Sequence, residues 1–356
     1  MVSKTFKKRI LSIDGGGIRG MIPAILLNYI EKKTKKQIHT MFDMIAGTST
    51  GGILALGLTK RNSDSESNYE AEYTAAELIN FYRKYGNKIF SEYIPTPIDD
   101  LMQPKFNPVN KHEVLTSLLG EARIENALKE VFITSYDIEL RTPIFFTSNY
   151  KAEETECLES RKICRGFTMV NAAMATSAAP TFFPPYKLKT VHRTSEDYYA
   201  LVDGGIFANN PTALALMETM ISYQRKTGHE LHRDDILVVS LGTGSLTRKY
   251  KYQDAKNWGQ LKWALPLLNI VFDGQSESVA YQLNQLMMTK GDDRNYYRFQ
   301  VPLSADNGHD QMDNASSSNI EYLEKLSEIL IEQRRESLDQ LCEVLCQPCE
   351  HSTGNQ

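Results

Sequence analysis

Long apolar runs are missing from this chain. The longest, such as Ala264 to Phe272, fall well short of the roughly 20 residues that cross a bilayer, which excludes a transmembrane helix. No apolar stretch followed by a small-residue cleavage site stands at the start. Met1-Val2-Ser3-Lys4 leads through Lys7-Lys8-Arg9 into a strand-like segment, so secretion by the common route is not expected and the cytoplasm is the expected location. Charge of one sign is missing too. Lys and Arg number 40 against 44 Asp and Glu, a formal −4, too slight to make a DNA or RNA polymer the partner, so any membrane contact has to be local. Cysteine is sparse: five, an odd number, do not form the disulfide framework of a small secreted domain and are expected as reduced thiols. Cys342, Cys346 and Cys349, with His351 beyond, have the residue types of a zinc site. Cys342 and Cys346 nevertheless stand one helical turn apart beside Leu338, Leu341 and Leu345, and burial as small hydrophobes is the stronger reading. No EF-hand loop occurs, and no metal or cofactor is expected. What remains, 356 residues that are 41% hydrophobic and 24% charged, has the composition of an ordinary globular protein.

Ile10 to Ile13 is a short β-like run ended by three glycines, after which Met21, Ile22, Ile25, Leu26, Tyr29 and Ile30 recur at helical spacing. Pro23 fits the first turn of that helix, where its missing N–H costs nothing. The unit then repeats. Phe42 to Ala46 predicts a strand, Gly47-Thr48-Ser49-Thr50-Gly51-Gly52 a tight turn, and Ile53, Leu54, Leu56 and Leu58 a second helix, which together point to an α/β fold on a parallel sheet. Arg61 to Glu72 reads as a solvated loop, Ala75 to Tyr85 as a helix, and the proline-rich Ile94 to Pro108 as irregular. Further strands are expected at Val131 to Tyr136, Pro143 to Thr147, Ala200 to Val202 and Ile236 to Leu241, the last apolar enough for a buried central strand. Without repeat or long linker, residues 1–319 are expected to form one core, 320–345 a single C-terminal helix packed on it, and 346–356 a tail.

Gly47-Thr48-Ser49-Thr50-Gly51 matches G-x-S-x-G, which sets a serine on a sharp strand-to-helix turn. The orphan N–H groups and positive dipole end of a helix N-terminus favour a developing alkoxide there. The pentapeptide alone would equally suit a structural turn with Ser49 or Thr50 as N-cap. Asp14 to Gly20 reads DGGGIRG and satisfies G-x-G-x-x-G at Gly15, Gly17 and Gly20, so a dinucleotide site is a rival. That fold needs an acidic residue at the end of the second strand, where Gly47-Thr48-Ser49 stand instead; with no Lys-Ser or Lys-Thr after the glycines, a P-loop is excluded. Glycine N–H groups beside a reactive serine can also form an oxyanion hole, in which one donor is worth about 10²–10³ in rate. Arg19 is expected at its rim or as a solvated loop cation.

A serine nucleophile needs a base. Of the histidines only His309, in Asn307-Gly308-His309-Asp310, resembles a triad member; His39, His112, His192, His229 and His232 lie in polar surroundings typical of surfaces. Asp203 follows the apolar Ala200-Leu201-Val202 and precedes Gly204-Gly205. A strand-end carboxylate so placed can serve as a general base, a weak one at an ordinary pKa of ~3.9, or as an Asx-turn residue, which is its commoner use.

DGGGIRG at 14 to 20, GTSTGG at 47 to 52 and DGG at 203 to 205 resemble, in that order, the three signatures of the patatin-like phospholipases. Ala175 to Pro185, Ser240-Leu241-Gly242-Thr243-Gly244 and Gln311 to Ser316 resemble plant patatin segments as well, so the likeness covers nearly the whole chain. It implies a three-layer fold with a central, mostly parallel sheet flanked by helices. It implies too a lipid acyl hydrolase of phospholipase A type acting at the inner membrane surface, with Ser49 as nucleophile and Asp203 as base. The N–H groups of Gly15, Gly16 and Gly17 become the oxyanion hole, Arg19 the glycine-loop arginine, and Gly20, Gly47, Gly51, Gly204 and Gly205 supporting turn residues. Gly205 departs slightly, since many members carry alanine there. Stand-alone bacterial members of this size resemble effectors of anti-phage signalling that a cyclic oligonucleotide switches on. An activator of that class and a homo-oligomer therefore stay open, as do a nucleotide-binding protein and a catalytically inactive storage or interaction protein of the same fold.

Drawing an ester from an interface favours exposed aromatics beside basic residues. Arg248, Lys249, Lys251, Trp258, Lys262, Trp263 and the apolar Ala264 to Phe272 supply that mixture as a lid or membrane contact. Burial of both tryptophans and the following leucines in the core is the reading placed ahead of it.

Overall fold

The computed structural model describes residues 5–65, 69–91, 104–149, 154–156, 161–163, 166–190, 197–287 and 294–348. Its centre is a sheet with ten strands among the described residues. The strands in chain order are β1 (Lys8–Ile13), β2 (Met44–Thr48), β3 (Glu130–Asp137), β4 (Thr142–Thr147), β5 (Glu154–Glu156), β6 (Arg161–Ile163), β7 (Tyr186–Lys189), β8 (Tyr198–Asp203) and β9 (Ile236–Leu241). Beyond them come β10 (Ser245–Leu246), β11 (Tyr296–Phe299) and β12 (Pro302–Leu303); β10 and β12 pair apart from the main sheet. The order β11-β9-β1-β2-β3 is parallel throughout, and β4 joins β3 antiparallel.

Parallel strands buried on both faces need helices on both. Leu11 and Ile13 of β1 point into one apolar cluster and Ile10 into the other. The larger cluster is closed by helices Met21–Thr34, Thr50–Thr59, Ala75–Ile89, Pro108–Leu119 and Met169–Thr176 and by the C-terminal helices. Thr212–Thr227 and the far end of Gln260–Leu286 close the smaller. This is the three-layer α/β architecture expected from the sequence. The C-terminal segment differs: the one predicted helix is two, Ser317–Gln333 and Arg335–Cys346, broken where Arg334 leaves helical geometry at φ −114°, ψ 17°. A bend lets both helices lie on Met21–Thr34, which a straight rod could not do. Cys342 is buried on the second, its thiol pushed up to about 12 by burial, while Cys346 is exposed. Cys349 and His351 lie outside the described residues, and no group of three or more candidate metal ligands occurs among the described ones.

β3 decides where the chemistry can be. One of its edges pairs with β4 over residues 132–137; the other pairs first with β2, Thr48 opposite Thr134, and then with the antiparallel β8, Asp203 opposite Ser135. β2 and β8 thus run toward each other along one edge and stop head to head. The loops that follow them, carrying Ser49 and Asp203, are forced together although 154 residues apart in the chain.

Candidate active site

Ser49 follows β2 and precedes helix Thr50–Thr59, with φ 54° and ψ −121°. Such geometry in a residue with a Cβ costs about 1–3 kcal/mol and persists only where the surroundings impose it. Here they do: the Ser49 N–H donates to Thr176 Oγ1 at 2.8 Å, and the Ser49 carbonyl accepts the Ile53 N–H at 3.1 Å. Gly51 crosses directly over the Ile13 carbonyl, so close that a Cβ there would overlap it. Gly47, within β2, faces Gly51 in the same way. The turn aims the hydroxyl away from the strand, at the N-terminal end of a helix.

Asp203 closes β8 and is 1% exposed. Its Oδ1 accepts the Gly205 N–H at 2.8 Å, the Asx turn that its setting between an apolar strand and two glycines suggests. The Ser49 side chain acts on the same carboxyl and lowers its pKa, so the serine and the Gly205 turn share one group. Burial raises its pKa, and the Ser49 side chain, the Gly205 hydrogen bond and the charge of Lys111 lower it, leaving it at about 6, well above an ordinary aspartate.

The glycine loop lies on the other side of Ser49. The Gly15 N–H is taken by the Asn209 carbonyl at 3.0 Å, which removes it from the expected trio of donors. Among the described residues no acceptor takes the N–H of Gly16 or Gly17. Gly17 turns at φ +60°, and a Cβ on it would run into the Met312 carbonyl, which receives the Ile18 N–H at 2.8 Å. Gly20, where the short 3₁₀ turn meets helix Met21–Thr34, abuts Thr50 and Tyr82. Arg19 is not the solvated cation considered above: it is 4% exposed, with Nε donating to the Gly16 carbonyl at 3.1 Å and Nη1 to the Asp310 carbonyl at 3.4 Å. It braces the loop from beneath. Gly204 and Gly205 begin the turn after Asp203, Gly204 pressed against Thr134.

Ser49 opens on a narrow cavity walled by Ile18, Ile53, Phe81, Tyr82, Ile89, Phe90, Phe182 and Phe183, with Lys111 and Ser177 at its side and an open volume of ≈ 50 Å³. No histidine among the described residues lines it. His309 is elsewhere: its Nδ1 bonds Asn319 Oδ1 at 2.9 Å and its ring stacks on Tyr322 at 4.0 Å, and it does not line the Ser49 cavity. His39 is also not a surface residue. It is 3% exposed, bonded to the Tyr69 carbonyl, and its pKa is lowered by burial.

Three supporting groups were not assigned a role from the sequence. Thr176 holds Ser49 from the last turn of helix Met169–Thr176. Arg298 reaches from β11 to grip both oxygens of Asp14, at 2.9 and 2.6 Å, and so pins the start of the glycine loop. Its place in Tyr296-Tyr297-Arg298-Phe299, one charge among buried aromatics, is the clue that could have revealed it. Lys111 is buried against the cavity from a stretch that reads as polar surface.

A serine on a strained strand-to-helix turn, a buried carboxyl that its side chain influences and glycine N–H groups with no acceptor among the described residues agree with what comparison of the sequence finds. A profile of the Patatin-like phospholipase family matches residues 11–216. Patatin-like protein 3 of Arabidopsis thaliana is 31% identical over 91% of this chain and 81% of its own length. Patatin-04/09 of Solanum tuberosum is 31% identical over 90% and 83%. The chain belongs to the patatin-like phospholipase family. Among solved structures, human GIVD cytosolic phospholipase A2 is similar at a TM-score of 0.47 and 9% identity, over 96% of this chain and 60% of that one. Family membership supports lipid acyl hydrolysis as the activity of this patatin-like phospholipase.

The tryptophans need a correction of their own. Trp258 and Trp263 are half-buried, edge to face at 5.1 Å, and Leu265, Leu267 and Ile270 on helix Gln260–Leu286 are exposed at 51, 51 and 45%. They are not core. Further along, Gln275 and Ser276 of the same helix bond Asn209, so it runs from this apolar surface down to the turn after Asp203.

Proposed function

We propose that this patatin-like phospholipase is a serine hydrolase of phospholipase A type that releases fatty acids from membrane phospholipids. Ser49 attacks the acyl carbonyl as its proton passes to Asp203, and the N–H groups of Gly16 and Gly17 receive the oxyanion. Collapse of the tetrahedral species breaks the ester C–O bond, and Asp203 returns the proton to the leaving alkoxide of the lysolipid. Asp203 then takes a proton from water, whose oxygen attacks the acyl-enzyme carbonyl; collapse breaks the bond between the acyl carbon and Ser49 Oγ, Asp203 returns the proton to Oγ, and the fatty acid departs. The observation that carries this reading is the convergence of β2 and β8 on one edge of β3, which brings Ser49 to a buried carboxyl that burial raises to about 6. An aspartate at its ordinary pKa would be a poor base, whereas one so raised is matched to neutral solution. The aromatic walls of the cavity suit an acyl chain.

The membrane contact is assigned to the exposed leucines and half-buried tryptophans at the start of helix Gln260–Leu286. Exposed Lys249, Lys251, Lys256 and Lys262 nearby would meet anionic headgroups.

The test is free fatty acid released from phospholipid vesicles, with and without a panel of cyclic oligonucleotides. Release by the wild type and none by folded Ser49→Ala or Asp203→Asn is expected; activity that survives Ser49→Ala refutes the assignment. Dependence on one nucleotide would reveal a switched enzyme. Trp258→Ala with Trp263→Ala should weaken vesicle binding and leave a soluble short-chain ester untouched, and equal loss of both would refute the membrane contact.

A further inference from the structure

One buried ionisable group beside the cavity takes no part in the chemistry just described. Lys111, on helix Pro108–Leu119, is 2% exposed. Its Nζ donates to the Ser177 carbonyl at 2.9 Å and lies 3.9 Å from the centroid of the Phe183 ring. Lysine is almost never sealed into a protein without a carboxylate in contact, because the ammonium loses its hydration. A neutral carbonyl and an aromatic face are weak compensation, so a position that served stability alone would be better filled by leucine or methionine.

The carbonyl that Lys111 grips belongs to a segment with a particular office. Thr176, one residue before it, accepts the Ser49 N–H at 2.8 Å; Ala178, one residue after it, accepts the Asp203 N–H at 3.0 Å. Three consecutive residues thus hold the two reacting groups from behind, and the middle one is fastened by Lys111. The Ser177 hydroxyl bonds the Ala173 carbonyl, so the segment's other anchor is its own helix.

We propose that Lys111 is a positioning residue of the hydrolytic site: from the wall of the cavity it fixes the 176–178 segment that carries both Ser49 and Asp203, and it presents a positive charge toward the Asp203 carboxylate. The inference rests on the reading of Ser49 and Asp203 as nucleophile and base. Among the described residues Asp203, from β8, is the charged group that faces Lys111. Helix Ala75–Ile89 presents Tyr82, whose phenol burial holds neutral far above the ordinary range, while helices Thr50–Thr59 and Met169–Thr176 bring Thr50 and Met174 to the cavities around it. On its own helix, Glu113 is paired outward with Lys88. Burial lowers the Lys111 amine to about 7, with Asp203 opposing, so the cation is present where Asp203 must lose its proton and fades as the solution turns alkaline.

The deciding experiment measures kcat and KM on a soluble short-chain ester from pH 4.5 to 9 for the wild type, Lys111→Met, Lys111→Gln, Ser49→Ala and Asp203→Asn. A thermal melt of each checks folding. Methionine keeps the length and apolar stem while removing donor and charge. Expected are a fall in kcat of at least about tenfold with KM little changed, and an acid limb displaced to higher pH, because Asp203 without its facing cation holds its proton longer. A residue that merely packed would lower the melting temperature and leave the limb in place. A folded Lys111→Met with wild-type kcat and limb, beside inactive Ser49→Ala and Asp203→Asn, overturns the assignment of Lys111 alone. Activity retained in Ser49→Ala or Asp203→Asn overturns the hydrolytic reading and this inference with it. Should Lys111→Met fail to fold, Lys111→Gln, which has lost the charge and kept an N–H, decides by the same displacement of the limb.

Discussion

Replacing Asp203 by asparagine separates the two consequences of burying a carboxyl beneath Ser49. Asparagine retains an oxygen for the Gly205 N–H and cannot ionise, so it should abolish turnover and yet relieve the fold of a buried charge. The sign follows from the direction of the shift. A carboxyl whose pKa is higher in the folded chain than in the unfolded one stabilises the fold while protonated, and that stabilisation disappears as pH rises through the folded value. For Asp203 the rise from 3.8 to about 6 corresponds to ~3 kcal/mol in all. The unfolded carboxyl is largely ionised by pH 5, which leaves about half of this to be lost between pH 5 and pH 8. The wild type should therefore fall behind Asp203→Asn by about 1–2 kcal/mol across that interval, or about 2 °C in Tm for a chain of this length. Asp203 is what opposes the lowering of Lys111, so its removal also shifts Lys111, and the same comparison in a Lys111→Met background isolates the carboxyl. The assay is paired thermal unfolding at pH 5 and pH 8, with hydrolysis of a short-chain ester measured on the same samples. A Tm difference that stays flat with pH would mean that burial does not hold Asp203 up, and the case for it as a base near neutrality would fail.

Ser49→Gly should remove activity while raising stability by about 1 kcal/mol, since glycine adopts φ 54°, ψ −121° without strain; an unfolding titration that shows no gain would deny that the turn stores strain. Gly17→Ala should cut kcat at least about a hundredfold, because the loop must shift off the Met312 carbonyl and misaim its donors, and wild-type kcat in the purified variant would contradict the oxyanion assignment. Arg298→Met should destabilise by about 3–5 kcal/mol at neutral pH by leaving Asp14 buried and unpaired, and a loss below about 1 kcal/mol in denaturant would show that the pair is not what pins the loop. His309→Ala should leave kcat within about twofold of wild type, and a loss of a hundredfold or more would restore a histidine base in place of Asp203.

Much of the layout was legible because it rests on local signals. Ile236 to Leu241, apolar without interruption, could only be a strand covered on both faces, and β9 has those bounds. Gly-rich turns after apolar runs placed β1 and β2 to within two residues. β5, β6 and β7 are three or four residues each, too short for any periodicity to register, and their pairing comes from register with β4 and β8. Ser49 and Asp203 stood out through the glycines around them, but why they meet did not: that depends on β2 and β8 sharing one edge of β3, a long-range fact. Thr176, Lys111 and Arg298 were illegible for the same reason. Each looks ordinary among its sequence neighbours, and only the partner it meets across the fold gives it a task. Of the two roles open to Arg19, rim of the glycine loop or solvated cation, the second falls because Asp310 and Gly16 close over the guanidinium.

The glycine loop is completed from the far end of the polypeptide. Asp14 is gripped by Arg298 and Ile18 is tied to Met312, so residues made in the first moments of synthesis wait for others nearly three hundred positions later. Until that late stretch has left the ribosome and docked, the donors near Ser49 have no fixed aim. Lipid acyl hydrolysis therefore belongs to the finished fold alone, since no shorter nascent chain can hold the glycine loop in place.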